Sequence, residues 1–378
     1  VGRYSDREPI THMSKLQKLV NTLRSEWISS GKKYPFYMHL FKFVHDSIDY
    51  VPYYGWAKNP EETLTSKCGS AYEQTVLLAE LLMLAGHNVE IVKGRISVNK
   101  TFAMNWAGIK LFQELIKVFE DNGLEPEING DFISIKHVWL RIKINNDYVY
   151  LDPSVKLYYS AKPIDFAKLV GISKQELIND LKSYFSINKD EGFLEKVDVK
   201  ALEQKIGELL DYIDEKFERE IGRSTYTIED IFGLRKIVAY PIGAGLPTYV
   251  QNNSISKIIS YYGWNKLVSM VYHDCFKIII SNGELTFTET LVHIGSARIT
   301  LHYPVDRSSR SIYNRYISYG GIPPGAVKVR PTLLINGKIV KISSSTINYG
   351  DQDVINVKLS FPWGDERNYE IKNTAGAP

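Results

Sequence analysis

Apolar residues recur at helical spacing through much of the chain up to about residue 234, whereas strand-like runs dominate beyond about Arg235. Between Thr11 and about Ser30, Leu16, Leu19, Val20, Leu23 and Trp27 fall on one helical face, with Gly31 as the stop. Pro35 opens a second helix with Phe36, Tyr37, Leu40, Phe41, Val44 and Ile48 on one side. Both patterns are amphipathic, so both helices should pack against a common body. Asp49 to Trp56 reads as an extended aromatic segment leading into a polar loop, Lys58 to Lys67. The helix expected from near Cys68 to Leu84 is apolar almost all round and should therefore be central. Ser66 is the expected cap, which would set Cys68 in the first turn.

Asn88 to Val98 reads as a strand. Residues 99–131 form an insertion with an aromatic patch, Phe102 to Trp106, and a helix carrying Leu111, Phe112, Leu115, Ile116 and Phe119. Such an excursion suits a lid or specificity wall, and equally plain packing. From Phe132 to Ile144 the period is two, with Ile133, Ile135, His137, Trp139 and Arg141 on one face. Asn145-Asn146-Asp147 turns the chain into a returning strand, Tyr148 to Leu151. A simple two-residue turn would set Asp152 opposite about Arg141, so contact with His137 requires a bulge or a meeting past the regular ladder. Ser173 to Glu176 is a capping box, 187–198 reads as a charged loop, and a helix from Leu202 to Phe217 ends at Gly222.

Beyond that, runs at 266–281, 284–304, 327–335, 338–345 and 353–361 look like strands, with hairpin signals at Asn282-Gly283 and Asn336-Gly337 and no helical periodicity. The expected class is α+β in three parts: 1–190 mixed helix and antiparallel sheet, 191–234 a helical connector, and 235–378 an antiparallel β domain, most simply a sandwich.

Composition narrows the function classes. Apolar residues at 44% and charged residues at 24% are globular values. The formal charge of +3 predicts no strong attraction to nucleic acid. No apolar run reaches membrane-spanning length, so no transmembrane segment is expected. Two cysteines, Cys68 and Cys275, do not make a disulfide framework or a zinc site, and no phosphate loop or metal-ligand cluster suggests a cofactor. Cys275 is more simply a small buried hydrophobe, and His273, His293 and His302 read as surface or core residues. The chain starts at Val1 and is expected to be part of a larger polypeptide, which leaves export open.

What remains is one thiol, one imidazole and one carboxylate in order: Cys68, His137 and Asp152. These are the parts of a nucleophilic acyl-transfer site if the fold brings them together. At a helix start, exposed N–H groups and the neighbouring Lys67 would favour a thiolate. The Cys68 N–H would help hold an oxyanion, and the second donor is left open among Trp56, Tyr53 and Tyr54. Tyr54, Trp56, Trp106 and Trp139 are the candidates for lining a substrate cleft.

Cys68 to Gly86, the strand through Val92-Lys93-Gly94-Arg95, His137-Val138-Trp139 and Leu151-Asp152-Pro153 together resemble the transglutaminase-like superfamily. So does the upstream run Phe43 to Tyr50, and the likeness covers roughly residues 34–165. The residue after His137 is Val138, where an Ala is common in that superfamily. The resemblance implies a papain-like core with Cys68 as nucleophile, His137 as general base and Asp152 orienting the imidazole. The Asn105-Trp106 insertion and the β-rich tail are similar to bacterial members within secreted or surface chains. The implied substrate is a protein or peptide amide, released to water or to an amine. The superfamily also has members without activity, so a binding scaffold stays open, as does a binding module in the β half.

Overall fold

Helix α1 (Ile10–Ser29) and helix α2 (Phe36–Ser47) turn Leu16, Val20, Leu23, Leu40, Phe41 and Val44 into one buried cluster, as their spacing requires. They belong to a computed structural model that describes residues 10–160, 168, 171, 173–188, 193–221, 233–241 and 253–376. The short strand β1 (Asp49–Tyr50) follows, then α3 (Pro60–Ser66) where a polar loop was expected. Asn59 caps α3 and exchanges hydrogen bonds with Glu62 at N3, while Pro60 fits the first turn. Strand β2 (Cys68–Gly69) runs parallel to β1. Helix α4 (Ala71–Leu84) is buried along nearly its whole length and is the centre of the largest core cluster.

Strand β3 (Val89–Asn99) leads to α5 (Lys100–Ala107) and α6 (Phe112–Asp121), so the aromatic patch Phe102 to Trp106 is itself helical. The chain returns through β4 (Glu127–Asn129), β5 (Phe132–Ile144) and β6 (Asp147–Leu151). Val138, Leu140 and Ile142 of β5 join the α4 cluster, and the alternate residues face away from it.

Residues 158–238 form one compact unit, and residues 1–157 with 239–378 form the other. In the smaller unit β7 (Tyr158–Ser160) pairs antiparallel with a later strand, and α7 (Lys174–Leu181) carries the expected Ser173–Glu176 box. The run read as a loop contains a hairpin, β8 (Ser186–Asn188) with β9 (Phe193–Glu195). The expected strut is α8 (Val199–Ile221), its expected stop at Gly222 lying outside the described residues, and β10 (Arg235–Ile237) closes on β7.

The late sequence does not begin a separate layer at residue 235. Strand β11 (Asn253–Ser260) pairs along β3, giving an antiparallel sheet in the order β11-β3-β5-β4 with β6 on β5. The reading of 266–281 as strand fails over its first part. Trp264, Leu267, Val268 and Val271 are spaced for a helix and bury Leu267 and Val268 in α9 (Trp264–Met270). Strands β12 (Lys277–Asn282) and β13 (Leu285–Thr290) are followed by a single turn, α10 (Leu291–Ile294), then β14 (Ile299–His302) and a second unexpected helix, α11 (Arg310–Ser318).

The chain finishes with β15 (Lys328–Val329), β16 (Thr332–Ile335), β17 (Lys338–Ile342), β18 (Ile347–Asn348), β19 (Gln352–Ser360) and β20 (Glu366–Thr374). Two antiparallel sheets result, β13-β12-β19-β20 and β14-β16-β17. Ile280, Leu285 and Ile355 of the first pack with Leu333 of the second. The fold is mixed α+β with antiparallel sheets, and no helix among the described residues is long and apolar enough to cross a membrane.

Candidate active site

His137 lies on β5 opposite Gly94 of β3. A Cβ on Gly94 would come within 2.1 Å of the Ser254 carbonyl on β11 and 2.9 Å of the Trp139 ring, so glycine lets the sheet edge and the indole close over this point. The turn at Asn145-Asn146 sets Ile144 opposite Asp147, and the β5–β6 ladder ends at Leu140 and Leu151. Arg141 therefore pairs with Tyr150, two residues from the expected register. Asp152 leaves the ladder just beyond its last pair and reaches His137 there, without a bulge.

The contact is short and buried. His137 Nε2 lies 2.7 Å from Asp152 Oδ2, with His137 1% and Asp152 3% exposed. The Ser154 amide (3.0 Å) and hydroxyl (2.8 Å) both donate to Asp152 Oδ1. Ser154 Oγ also lies 3.3 Å from His137 Nε2, and with the hydroxyl proton assigned to the carboxylate, the tautomer that satisfies Asp152 is the one with the proton on Nε2. Nδ1 is then the nitrogen with the free lone pair, and it is buried with no hydrogen-bond partner. Burial would push the Asp152 carboxyl up, but attraction to His137 and the hydrogen bonds from His137 and Ser154 outweigh it and hold the carboxyl below its ordinary value.

Aromatic rings enclose the imidazole. Trp139 stacks beside it at 6.1 Å, and Trp106 presents an edge at 5.6 Å. Trp106 Nε1 donates to Ser154 O at 2.7 Å, and Tyr50 stacks on the other indole face at 4.2 Å. Thus Trp106 and Trp139 both touch His137, and both are buried.

Cys68 is half-buried on β2, opposite Asp49. It is not in the first turn of α4, because the cap is Ser70, which exchanges hydrogen bonds with Glu73 at N3. Ser66 ends α3 instead, and Lys67 follows it in a left-handed conformation with φ 51°. The sulfur contacts a different cation: Lys58 Nζ lies 3.6 Å from Sγ and donates to the Cys68 carbonyl at 2.5 Å. The structure thus joins His137 to Asp152 and hydrogen-bonds Cys68 to Lys58, not to His137.

One side chain connects the two parts. Gln74 Nε2 donates to Gly69 O at 2.9 Å, beside Cys68, and Gln74 Oε1 accepts from Lys156 Nζ at 3.0 Å, four residues beyond Asp152. Lys156 also donates to the His45 (2.6 Å) and Ile48 (2.5 Å) carbonyls at the end of α2, and its burial, partly offset by Asp49, Asp152 and Asp46, pushes the ammonium down to about 7.

Trp56 is core rather than cleft: wholly buried, it stacks on Tyr72 at 5.7 Å and bridges Cys275 through the backbone. Tyr54 is half-buried, with Lys136 and Lys93 over its ring. Cys275 is buried and its thiol is pushed up to about 12 by burial. Both cysteines are free thiols. Sequence reasoning missed Lys58, Gln74, Ser154 and Lys156. Only the Ser70-x-x-Glu73 box, which fixes the helix start and so frees Cys68 from it, was there to be read.

The fold and this His–Asp pair define an α+β protein with a candidate catalytic pair on an inner strand, between the stretches of β5 that pair with β4 and β6. No protein-family model matches the chain, and neither the curated proteins nor the solved structures contain a match.

Proposed function

We propose that this protein is a transglutaminase-like cysteine enzyme with a papain-like core, acting on protein or peptide amides through a thioester. The observation that carries the reading is His137 Nδ1: buried and unpartnered, with the other ring nitrogen held on Asp152. An unsatisfied ring nitrogen in a core costs stability, and catalytic groups are among the places where such a cost is kept. Cys68 is the nucleophile. Its thiol proton passes to Nδ1, the sulfur adds to the amide carbonyl, and the tetrahedral adduct expels the amine, which takes the proton from Nδ1. Water or a second amine then resolves the thioester. The reading requires Sγ, held at rest beside Lys58, to come within reach of Nδ1 while keeping the lysine at its side, a contact that tightens in many enzymes only when substrate binds.

A second reading is favoured by that same lysine contact: a transglutaminase-like scaffold in which Cys68 is not activated and the protein binds a partner. Alkylation by chloroacetamide at pH 7, followed by mass spectrometry, separates the two. The enzyme reading expects Cys68 to be modified about 100-fold more slowly in His137→Ala, with Cys275 inert in both. Equal Cys68 rates in wild type and His137→Ala would overturn it and leave the scaffold. Amine incorporation against peptide cleavage then distinguishes transfer from hydrolysis.

A further inference from the structure

We infer that Lys58 is the second oxyanion donor of the Cys68 site, an inference that rests on the reading of Cys68 as an acyl-transfer nucleophile. The donor set considered from sequence loses Trp56, which is enclosed in the core. Among the described residues, Lys58 is the polar side chain that hydrogen-bonds the sulfur. Its position is fixed at both ends. The backbone amides of Ala57 and Lys58 donate to Glu73 Oε1 at 3.0 and 2.9 Å, and Glu73 is itself buried at the start of α4. At the far end Nζ donates to Cys68 O at 2.5 Å and Ser66 Oγ at 3.2 Å, with Glu73 Oε2 at 3.6 Å.

An ammonium has three protons. Two are taken by Cys68 O and Ser66 Oγ, which leaves one for the sulfur 3.6 Å away. When the Sγ–C bond forms, the carbonyl π pair moves onto oxygen, and that oxygen lies two bonds from Sγ, within reach of the third proton. The thiol proton rests on His137 Nδ1. Collapse re-forms the carbonyl, breaks the C–N bond and delivers that proton to the departing amine, leaving Lys58 unchanged. A cation held beforehand at the place where negative charge develops needs no reorganisation to stabilise it. The Lys58 side chain is 25% exposed, which leaves this part of the site open to solvent.

The test compares a probe that forms a tetrahedral oxygen with one that does not. Acetyl-glycinal labelled with ¹³C at the aldehyde adds to a thiol as a hemithioacetal, seen by NMR, whereas iodoacetamide alkylates without any oxyanion. Lys58→Met should weaken the hemithioacetal about 100-fold, at least tenfold beyond whatever it takes from the alkylation rate, with Lys58→Arg restoring most of the aldehyde affinity. Lys58→Gln, which keeps a donor for Cys68 O, serves as the second neutral variant, and thermal melts verify folding. Aldehyde affinity unchanged in both neutral variants, or falling in step with alkylation, would overturn the inference while leaving the nucleophile intact. A wild type that forms no hemithioacetal, with alkylation indifferent to His137→Ala, would instead overturn the reading of the site and this inference with it.

Discussion

Replacing Lys156 with Met should change how stability depends on pH. Lys156 is 1% exposed, and its ammonium is pushed down to about 7 from the ordinary 10.5 by burial, with Asp49, Asp152 and Asp46 pulling the other way. Between those two values the unfolded chain binds a proton that the folded chain does not, so wild-type stability rises with pH. The slope is about 1.4 kcal/mol per pH unit, and the full interval is worth about 5 kcal/mol. Met keeps the apolar stem but leaves the His45 and Ile48 carbonyls without their donor, a cost that does not vary with pH. Urea denaturation of both proteins from pH 6 to 9.5 isolates the titration in the difference. That difference should be flat below about pH 6 and should then move in favour of wild type by about 3 kcal/mol by pH 9.5. A difference that stays flat to pH 9.5 would refute the reasoning, because it would mean that three acceptors and the nearby carboxylates hold Lys156 as an ammonium throughout.

Gly94→Ala should destabilise by about 3 kcal/mol in urea, since the new methyl meets the Ser254 carbonyl backbone and the buried Trp139 ring; a loss below about 0.5 kcal/mol would show that the β3–β11 edge yields easily. Trp106→Phe removes the donor to Ser154 O and should cost 1–3 kcal/mol, roughly, with the ring's burial largely kept. Unaltered stability there would mean that Ser154 O finds another donor.

The sequence was most legible where a local rule and the tertiary answer agree. The period-two run of β5 put His137 and Trp139 on one face, and the hairpin carried Asp152 to the same neighbourhood. The exact meeting was not legible, because register depends on which residues the turn takes, and one residue more or less moves every partner. The placement of Cys68 failed for a different reason. Ser66 and Ser70 can both cap a helix, and only Ser70 has a Glu at N3, a signal that outweighs proximity to the apolar run. The helix at Trp264–Met270 went unseen because its four spaced apolar residues adjoin the Ile-rich strand Lys277–Asn282 and were merged with it. Lys58, Gln74 and Lys156 converge from three separate segments, and no spacing along the chain encodes such a meeting.

Strand β11 has a temporal consequence. The sheet bearing His137 is completed by residues 253–260, which are synthesised roughly 150 residues after β3. At ribosomal speeds of about 5–20 residues per second, the nascent chain carries that bare strand edge for roughly 10–30 s before its cover exists. Translation stalled after Asp152 but before β11 yields a polypeptide with every proposed reacting group but an open β ladder, a natural client for chaperones and a seed for edge-to-edge aggregation.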